Sequence, residues 1–414
     1  MHAADLDKLS KTQYYLELEE NYGAHNYHPL PVVLNRGEGV FLWDVEERRY
    51  YDFLSAYSAV NQGHCHPVIL RAFLEQAQRL TLTSRAFHSD ALGEFARYIT
   101  QYFGYDRVLP MNTGVEAVET AIKLCRRWAY EVKKIEAEKA VIVVCEGNFH
   151  GRTSTVISFS TDPGSRKNFG PYAPGFTVIP YNDLPALEQA LADKNIAGFL
   201  VEPIQGEAGV VVPDPGYLAR AHELCKQAQV LFIADEIQTG LARTGRMLAC
   251  DHEKVKPDLL LLGKALSGGM LPVSAVLADD EVMLTIRPGD HGSTYGGNPL
   301  ACRTAMAALQ VLKDEHLMEN AAARGEELRR GLQQLQSPHI GLVRGKGLLN
   351  AIVIRHHNSE AAWQLCLELK ENGLLAKPTH GDKIRFAPPL TITAEQVADC
   401  VAIIGRSLRC LDQA

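Results

Sequence analysis

The sequence predicts an α/β fold with a mostly parallel central sheet flanked by helices. Three observations carry that expectation. Short apolar runs alternate with helical patterns through the middle third of the chain, the signature of a sheet covered on both faces. Two of these runs end in a charged residue, at the carboxyl end where open α/β sheets place their ligands. The chain has 414 residues, 46% hydrophobic and 22% charged, which is ample material for more than one domain and for a core that needs no metal or disulfide staple.

In chain order, Met111-Asn112-Thr113-Gly114 is a small polar turn that opens a helix running on through Ala121-Ile122-Lys123-Leu124. Five strands follow: Val141 to Cys145, Phe199 to Val201, Val230 to Ala234, Leu259 to Leu262 and Val273 to Leu277. The last segment starts a helix at Thr393, with Gln396 completing a capping box, and buries Val397, Val401, Ile404 and Leu408 at helical spacing. No low-complexity tract, long linker or internal repeat divides the chain.

The charged residues at the strand ends suggest chemistry. Lys264 leaves an all-leucine run, where partial desolvation lowers an amine's pKa and makes it a nucleophile toward a carbonyl. A solvated lysine capping the strand fits the same pattern. Asp235 leaves the preceding strand, and a carboxylate in apolar surroundings must be paired. A protonated pyridine nitrogen is one partner; a helix cap or an internal salt bridge is the other reading. Taken together, the lysine and the aspartate point to pyridoxal phosphate. Free amides at the start of the helix after Thr113 and Gly114 would hold its phosphate, although simple capping accounts for that turn as well.

Composition excludes several classes of function. Lys plus Arg number 42 against 49 Asp plus Glu, a net charge of −7, and no basic stripe offers a nucleic-acid surface. No run approaches ~18 apolar residues, so no membrane span is expected. Nine cysteines scattered singly suggest a reducing compartment, with the cytosol as default. Met1-His2-Ala3-Ala4-Asp5-Leu6-Asp7 reads as neither a signal nor a transit peptide. His64-Cys65-His66 lacks the second ligand pair of a zinc site, so no metal is expected. No Gly-x-Gly-x-x-Gly follows a strand, which argues against a nicotinamide enzyme.

A family resemblance runs through nearly the whole chain. It is carried by Tyr22-Gly23-Ala24-His25-Asn26-Tyr27-His28-Pro29, Gly63-His64-Cys65-His66-Pro67, Glu202-Pro203-Ile204-Gln205-Gly206-Glu207 and Ala234-Asp235-Glu236-Ile237-Gln238-Thr239-Gly240. Lys264, His291-Gly292-Ser293-Thr294-Tyr295-Gly296-Gly297-Asn298-Pro299 and Arg385-Phe386-Ala387-Pro388-Pro389 complete it. The chain resembles the class III, fold-type I pyridoxal phosphate aminotransferases, and within them the ornithine branch. The resemblance implies a large cofactor domain over residues 55–305. It implies a smaller α+β domain from residues 1–54 and 306–414, and a homodimer with shared active sites. Many eukaryotic members of the family are mitochondrial.

It also implies site roles. Lys264 would hold the cofactor, Asp235 its ring nitrogen, and Thr113, Gly114 and Val115 its phosphate. Phe149 and Ile237 would face its ring from opposite sides, and Gln238 would bond its phenolic oxygen. Ser293 and Thr294 would complete the cofactor site, Thr294 reaching the phosphate in the neighbouring subunit. Arg152 and Arg385 would take the two carboxylates of 2-oxoglutarate, and Glu207 would pair with Arg385 while ornithine reacts. Tyr27 and Arg152 would hold ornithine's α-amine and α-carboxylate, and Tyr57 would line the pocket. Read without the resemblance, Phe149 is as easily a core residue and either arginine a surface ion-pair partner.

The implied reaction moves the δ-amine of L-ornithine to 2-oxoglutarate by a ping-pong scheme, giving glutamate 5-semialdehyde and glutamate. The alternative is a branch that uses acetylornithine, 4-aminobutyrate or another ω-amino acid, since the cofactor motifs are common to all of them.

Overall fold

The structure is a computed structural model that describes residues 9–413. Residues 1–8, on which the expectation about a leader rests, and residue 414 lie outside the described residues. After helix Lys11–Tyr22 the chain forms an antiparallel meander of β1 (Leu34–Glu38), β2 (Phe41–Asp44) and β3 (Arg49–Asp52). The central strands are β4 (Arg107–Met111), β5 (Val141–Cys145), β6 (Phe176–Ile179), β7 (Ile196–Val201), β8 (Leu231–Asp235), β9 (Leu259–Leu262) and β10 (Ser274–Ala278). Their order in the sheet is β4-β10-β9-β8-β7-β5-β6. Strands β5 to β9 pair in parallel, and β10 is antiparallel to both of its neighbours.

β5 and β9 have the bounds read from the sequence, whereas β7 starts at Ile196 and β10 is shifted by one residue. β8 differs in a way that matters, because Asp235 is its last residue and so is held by the sheet itself. The sequence reading missed β4 and β6, the two edges. Pro110 interrupts β4, which only an edge strand tolerates, and β6 is half-exposed and lacks the continuous apolar run of an interior strand.

The leucines of β9 divide by side. Leu260 and Leu262 belong to the large core that also holds Leu309, Ile352 and Ile404, while Leu259 and Leu261 belong to the core on the other face with Ile122 and Leu124. The period-2 alternation of a strand buried on both faces accounts for this split.

The C-terminal segment adds β11 (Ile340–Lys346), β12 (Leu349–Ile354), β13 (Leu374–Leu375), β14 (Lys377–Thr379) and β15 (Lys383–Phe386). β11, β12, β15 and β14 form an antiparallel sheet, while β13 joins β3 in parallel and ties the two chain ends together. The closing helix Ala394–Ser407 has the expected Thr393–Gln396 capping box. Val397, Ile404 and Leu408 are buried as read, but Val401 is only half-buried. It sits against Gly331 at the rim of helix Leu317–Gln334, and Cys400 and Ile403 complete the buried stripe. Among the described residues no helix is long and apolar enough to cross a membrane.

Candidate active site

β8 and β9 are parallel neighbours, with Asp235 level with Leu261, so Asp235 and Lys264 emerge at the same edge of the sheet. Lys264 opens a short 3-10 turn with φ 44°. Burial disfavours its ammonium form; Glu207 and Asp235 favour it, and Arg385 opposes it. The outcome is a lysine pKa below the ordinary value. A desolvated amine with a lowered pKa is a nucleophile, as a carbonyl-binding lysine requires.

Asp235 is buried, and its Oδ2 lies 2.6 Å from His150 Nδ1 while Oδ1 accepts the Ile237 amide at 3.1 Å. Burial works against the charged imidazole of His150, but the hydrogen bond and charge of Asp235, with Glu202 beyond, outweigh it and raise its pKa. Glu202 stands just past β7 and is also buried; it accepts the Phe149 amide at 2.8 Å and the Gly206 amide at 3.3 Å. Desolvation, with Asp235 adding to it, lifts the Glu202 carboxyl to about 7 against His150 and the two amides. Neither His150 nor Glu202 was assigned a role from sequence. Glu202 directly follows a strand of buried residues, a carboxylate at the end of an apolar run much like Asp235, and that pattern is legible in the sequence.

Thr113 caps helix Gly114–Trp128 in a capping box with Glu116. Glu116 Oε2 accepts the amides of both Asn112 and Thr113 at 2.8 Å, so phosphate oxygens are left the next amides, those of Gly114 and Val115. Close packing shapes the cradle. A Cβ on Gly114 would stand 3.0 Å from Ile237 Cγ2, and one on Gly151, whose φ is 122°, only 2.4 Å from Val115 Cγ2. Ser293 lies beside the turn, its hydroxyl accepting from Asn112 Nδ2 at 2.8 Å. Thr294 is exposed and is not among the residues that line the cavity beside this turn.

A cavity of about 200 Å³ is lined by Gly114, Val115, Phe149, His150, Gly151, Glu202, Glu207, Asp235, Ile237, Gln238 and Lys264. An adjoining cleft of about 300 Å³ shares Phe149, His150, Gly151 and Glu207 with it and adds Arg152, Ser165 and His380. Between the two, Arg385 Nη1 donates to Glu207 Oε1 at 2.7 Å, and Gln238 Nε2 donates to the same oxygen at 3.0 Å. Arg385 Nη1 also approaches Gln238 Oε1 at 3.3 Å, and its guanidinium carbon lies 5.0 Å from the centre of the Tyr57 ring. Burial pushes the Glu207 pKa up, but Arg385 and Gln238 pull it below the ordinary glutamate value. Arg385 is 2% exposed and Glu207 is partly buried, so removing Glu207 would leave a buried guanidinium without its carboxylate, which is costly.

Two expected substrate residues stand apart from the cavity. Arg152 is exposed; it bonds Ser165 Oγ at 3.1 Å and lies 5.5 Å from the Phe149 ring, at the mouth of the cleft. Tyr27 is 66% exposed, with Lys377 Nζ 5.8 Å from its ring centre. His64 and His66 are engaged by Asp52 at 2.7 Å and Glu315 at 2.8 Å, and no group of ligating side chains among the described residues is arranged to hold a metal.

The donor set fits pyridoxal phosphate. A buried carboxylate oriented by His150 suits a pyridinium nitrogen, the apolar walls of Phe149 and Ile237 suit its ring, the amides after Thr113 suit its phosphate, and the desolvated Lys264 amine suits its carbonyl.

Comparison with known proteins agrees. The family model described as aminotransferase class-III matches residues 22–408. The chain is 64% identical over 397 residues to a mitochondrial ornithine aminotransferase of Rattus norvegicus, covering 96% of this chain and 90% of that protein. It is 57% identical to the ornithine aminotransferase car2 of Schizosaccharomyces pombe, over 94% and 92% of the two chains. A crystal structure of the ornithine aminotransferase from Toxoplasma gondii superposes with a TM-score of 0.95 at 50% identity, over 99% and 98% of the two chains. One of an acetylornithine aminotransferase from Elizabethkingia anophelis superposes with a TM-score of 0.89 at 58% identity, over 97% and 100%.

Proposed function

We infer the reaction from one premise: the chain belongs to the class-III aminotransferase family. It is a pyridoxal phosphate-dependent transaminase that acts on the δ-amine of L-ornithine. The observation that carries this reading to an amine remote from a carboxylate is the Glu207–Arg385 pair at 2.7 Å; the choice of ornithine within that class rests on Tyr27, Tyr57 and the ornithine aminotransferase relatives. An arginine free beside the reacting carbon would seize an α-carboxylate and present the α-amine. With Glu207 on it, Arg385 is neutralised, and an amine remote from any carboxylate is presented instead.

Bound pyridoxal phosphate supplies an electrophilic carbon for the substrate amine and an electron sink for the carbanion. The chain supplies the rest. Lys264 holds the cofactor through its amine and, once displaced, moves a proton from the substrate's δ-carbon as general base and then acid. Asp235, held by His150, keeps a proton on the ring nitrogen. Thr113, Gly114, Val115 and Ser293 anchor the phosphate, Phe149 and Ile237 sandwich the ring, and Gln238 bonds the phenolic oxygen. Arg152 and Tyr27 hold the distal end of ornithine, and Tyr57 closes the pocket over Arg385. In the second half-reaction 2-oxoglutarate displaces Glu207 from Arg385, places its other carboxylate on Arg152 and leaves as glutamate. The scheme is ping-pong.

The same reading divides the chain into a large cofactor unit, residues 55–305, and a small unit from 1–54 and 306–414; the pairing of β13 with β3 supports the union of the chain ends. It makes the protein a homodimer, with Thr294 reaching the partner's cofactor phosphate. Tyr295, exposed and next to Thr294, is available for that contact. Nine free cysteines support a reducing compartment such as the cytosol, and a role in proline and arginine metabolism follows from the substrate.

The acetylornithine aminotransferase relative at 58% identity favours one second reading, N-acetylornithine as amino donor. Product analysis separates the two. Incubated with 2-oxoglutarate and either donor, the enzyme is expected to give glutamate and pyrroline-5-carboxylate from L-ornithine by NMR. Faster formation of N-acetylglutamate semialdehyde would move it to the second branch.

A further inference from the structure

Tyr57 sits in an unusual piece of backbone. Ser55, Ala56, Tyr57 and Ser58 have φ of 48°, 47°, 61° and 69°, so four successive residues, none of them glycine, occupy the left-handed region. Each carries a steric cost that glycine would avoid, and L-residues visit this region as single positions rather than as runs. The turn is hydrogen-bonded like a helix of the opposite hand: Tyr57 N donates to Leu54 O at 3.0 Å, and Ala59 N and Val60 N donate to Ser55 O at 2.8 and 3.1 Å. Such strain persists only where the surroundings over-determine it, and it concentrates at functional sites.

Two residues over-determine it here. Asp52 Oδ1 accepts the amides of Leu54 and Ser55, both at 2.8 Å, while its Oδ2 is held by His64 at 2.7 Å. Ser55 Oγ donates to Ala387 O at 2.7 Å, and the Ala387 amide donates to Phe53 O at 2.8 Å. The left-handed turn, through Ser55, and the chain leading into it, through Phe53, are therefore both pinned to Ala387, two residues beyond Arg385. That pinning fixes Tyr57 and Arg385 relative to each other, with the ring centre 5.0 Å from the guanidinium carbon. Burial, and then the charge of Glu207, raise the Tyr57 pKa, so the phenol stays neutral beside the ion pair.

We propose that Ser55, with Asp52, is a positioning residue: through the left-handed turn it holds the Tyr57 ring on Arg385 and so biases the guanidinium toward Glu207 rather than toward a substrate α-carboxylate. The proposal rests on the ornithine reading and refines it. Loosening the turn should free Arg385, favouring substrates with an α-carboxylate at the reacting carbon over ornithine.

The test compares half-reactions in cofactor-loaded wild type, Ser55→Ala and Ala56→Gly. Each protein is mixed with L-ornithine alone and with L-glutamate alone, and loss of the cofactor's visible band gives kcat/KM for each. Ser55→Ala is expected to lower the ornithine-to-glutamate ratio on the order of fivefold, the worth of one buried hydrogen bond. Ala56→Gly relieves the steric cost while loosening the same turn, so it is expected to lower the ratio with a Tm no lower than wild type. If Ser55→Ala fails to fold, Ala56→Gly decides alone. An unchanged ratio in the variants, or equal slowing of both half-reactions, would overturn the positioning role and leave the ornithine reading standing. A wild type that ignores ornithine would remove both.

Discussion

Glu202 is the residue whose environment makes the sharpest statement about pH. Its carboxyl titrates at about 7 because burial penalises the anion and Asp235 adds repulsion, against the help of His150 and two backbone amides. The folded protein thus keeps a proton that the unfolded chain releases near the ordinary carboxylate value. Stability from this group is fully present below that value and is lost as pH rises through about 7. His150, whose pKa is also raised, acts in the same direction. The Tm of cofactor-free protein is expected to fall between about pH 5 and about pH 8, and Glu202→Gln to flatten that slope. An equally steep slope in the variant would show that the proton resides elsewhere.

At this scale the sequence was informative where one residue carried the signal. Lys264 and Asp235 were legible because each breaks an apolar run. The Glu207–Arg385 contact came from the family resemblance and stands at 2.7 Å in the structure. His150 was not legible, because its partner lies 85 positions away and nothing local marks a histidine that will turn toward it. The left-handed turn at Ser55–Ser58 was invisible for a related reason: no glycine announces it, and tertiary hydrogen bonds alone hold it.

Among the elements, the parallel edge of β8 and β9 and the start of helix Gly114–Trp128 form the rigid frame of the site. Interior strands were readable as uninterrupted apolar runs, whereas the edge strands β4 and β6 mix polar residues and proline and so hide among loops. The helix start depends on the absence of a side chain at Gly151. Its φ of 122° and the 2.4 Å approach to Val115 leave no room for a Cβ. Gly151→Ala is therefore expected to displace the phosphate cradle and raise the cofactor Kd on the order of tenfold, about 1.4 kcal/mol. Gly93→Ala, in a helix with open space around it, serves as the control and should leave the Kd alone. Equal effects from both would deny the cradle its role.

Over the whole molecule, the two chain ends meet on one sheet through β13 and β3, which no local pattern foretells; only the family resemblance did. The proposed homodimer puts Thr294 at the shared site, and Tyr295, 58% exposed, adjoins it, so on that proposal Tyr295→Asp is expected to lower the sedimenting mass toward a monomer and to weaken cofactor retention together. Dissociation with retention unchanged would separate the interface from the site. Cofactor at about a hundred times its Kd should also raise stability by about 2.7 kcal/mol, seen as a Tm increase over the cofactor-free protein.

The most direct measurement is a single-turnover one on cofactor-loaded enzyme in the absence of any keto acid. L-ornithine, N-acetylornithine and 4-aminobutyrate are added separately, and the cofactor's visible band is followed. Fastest loss of the band with L-ornithine is the expected result, since the free α-amine assigned to Tyr27 in the proposed binding mode is acylated in N-acetylornithine and missing from 4-aminobutyrate, while the Glu207–Arg385 pair accepts the remote amine of all three. A faster response to N-acetylornithine or 4-aminobutyrate would contradict the ornithine reading while leaving the Glu207–Arg385 pair and the roles of Lys264 and Asp235 intact.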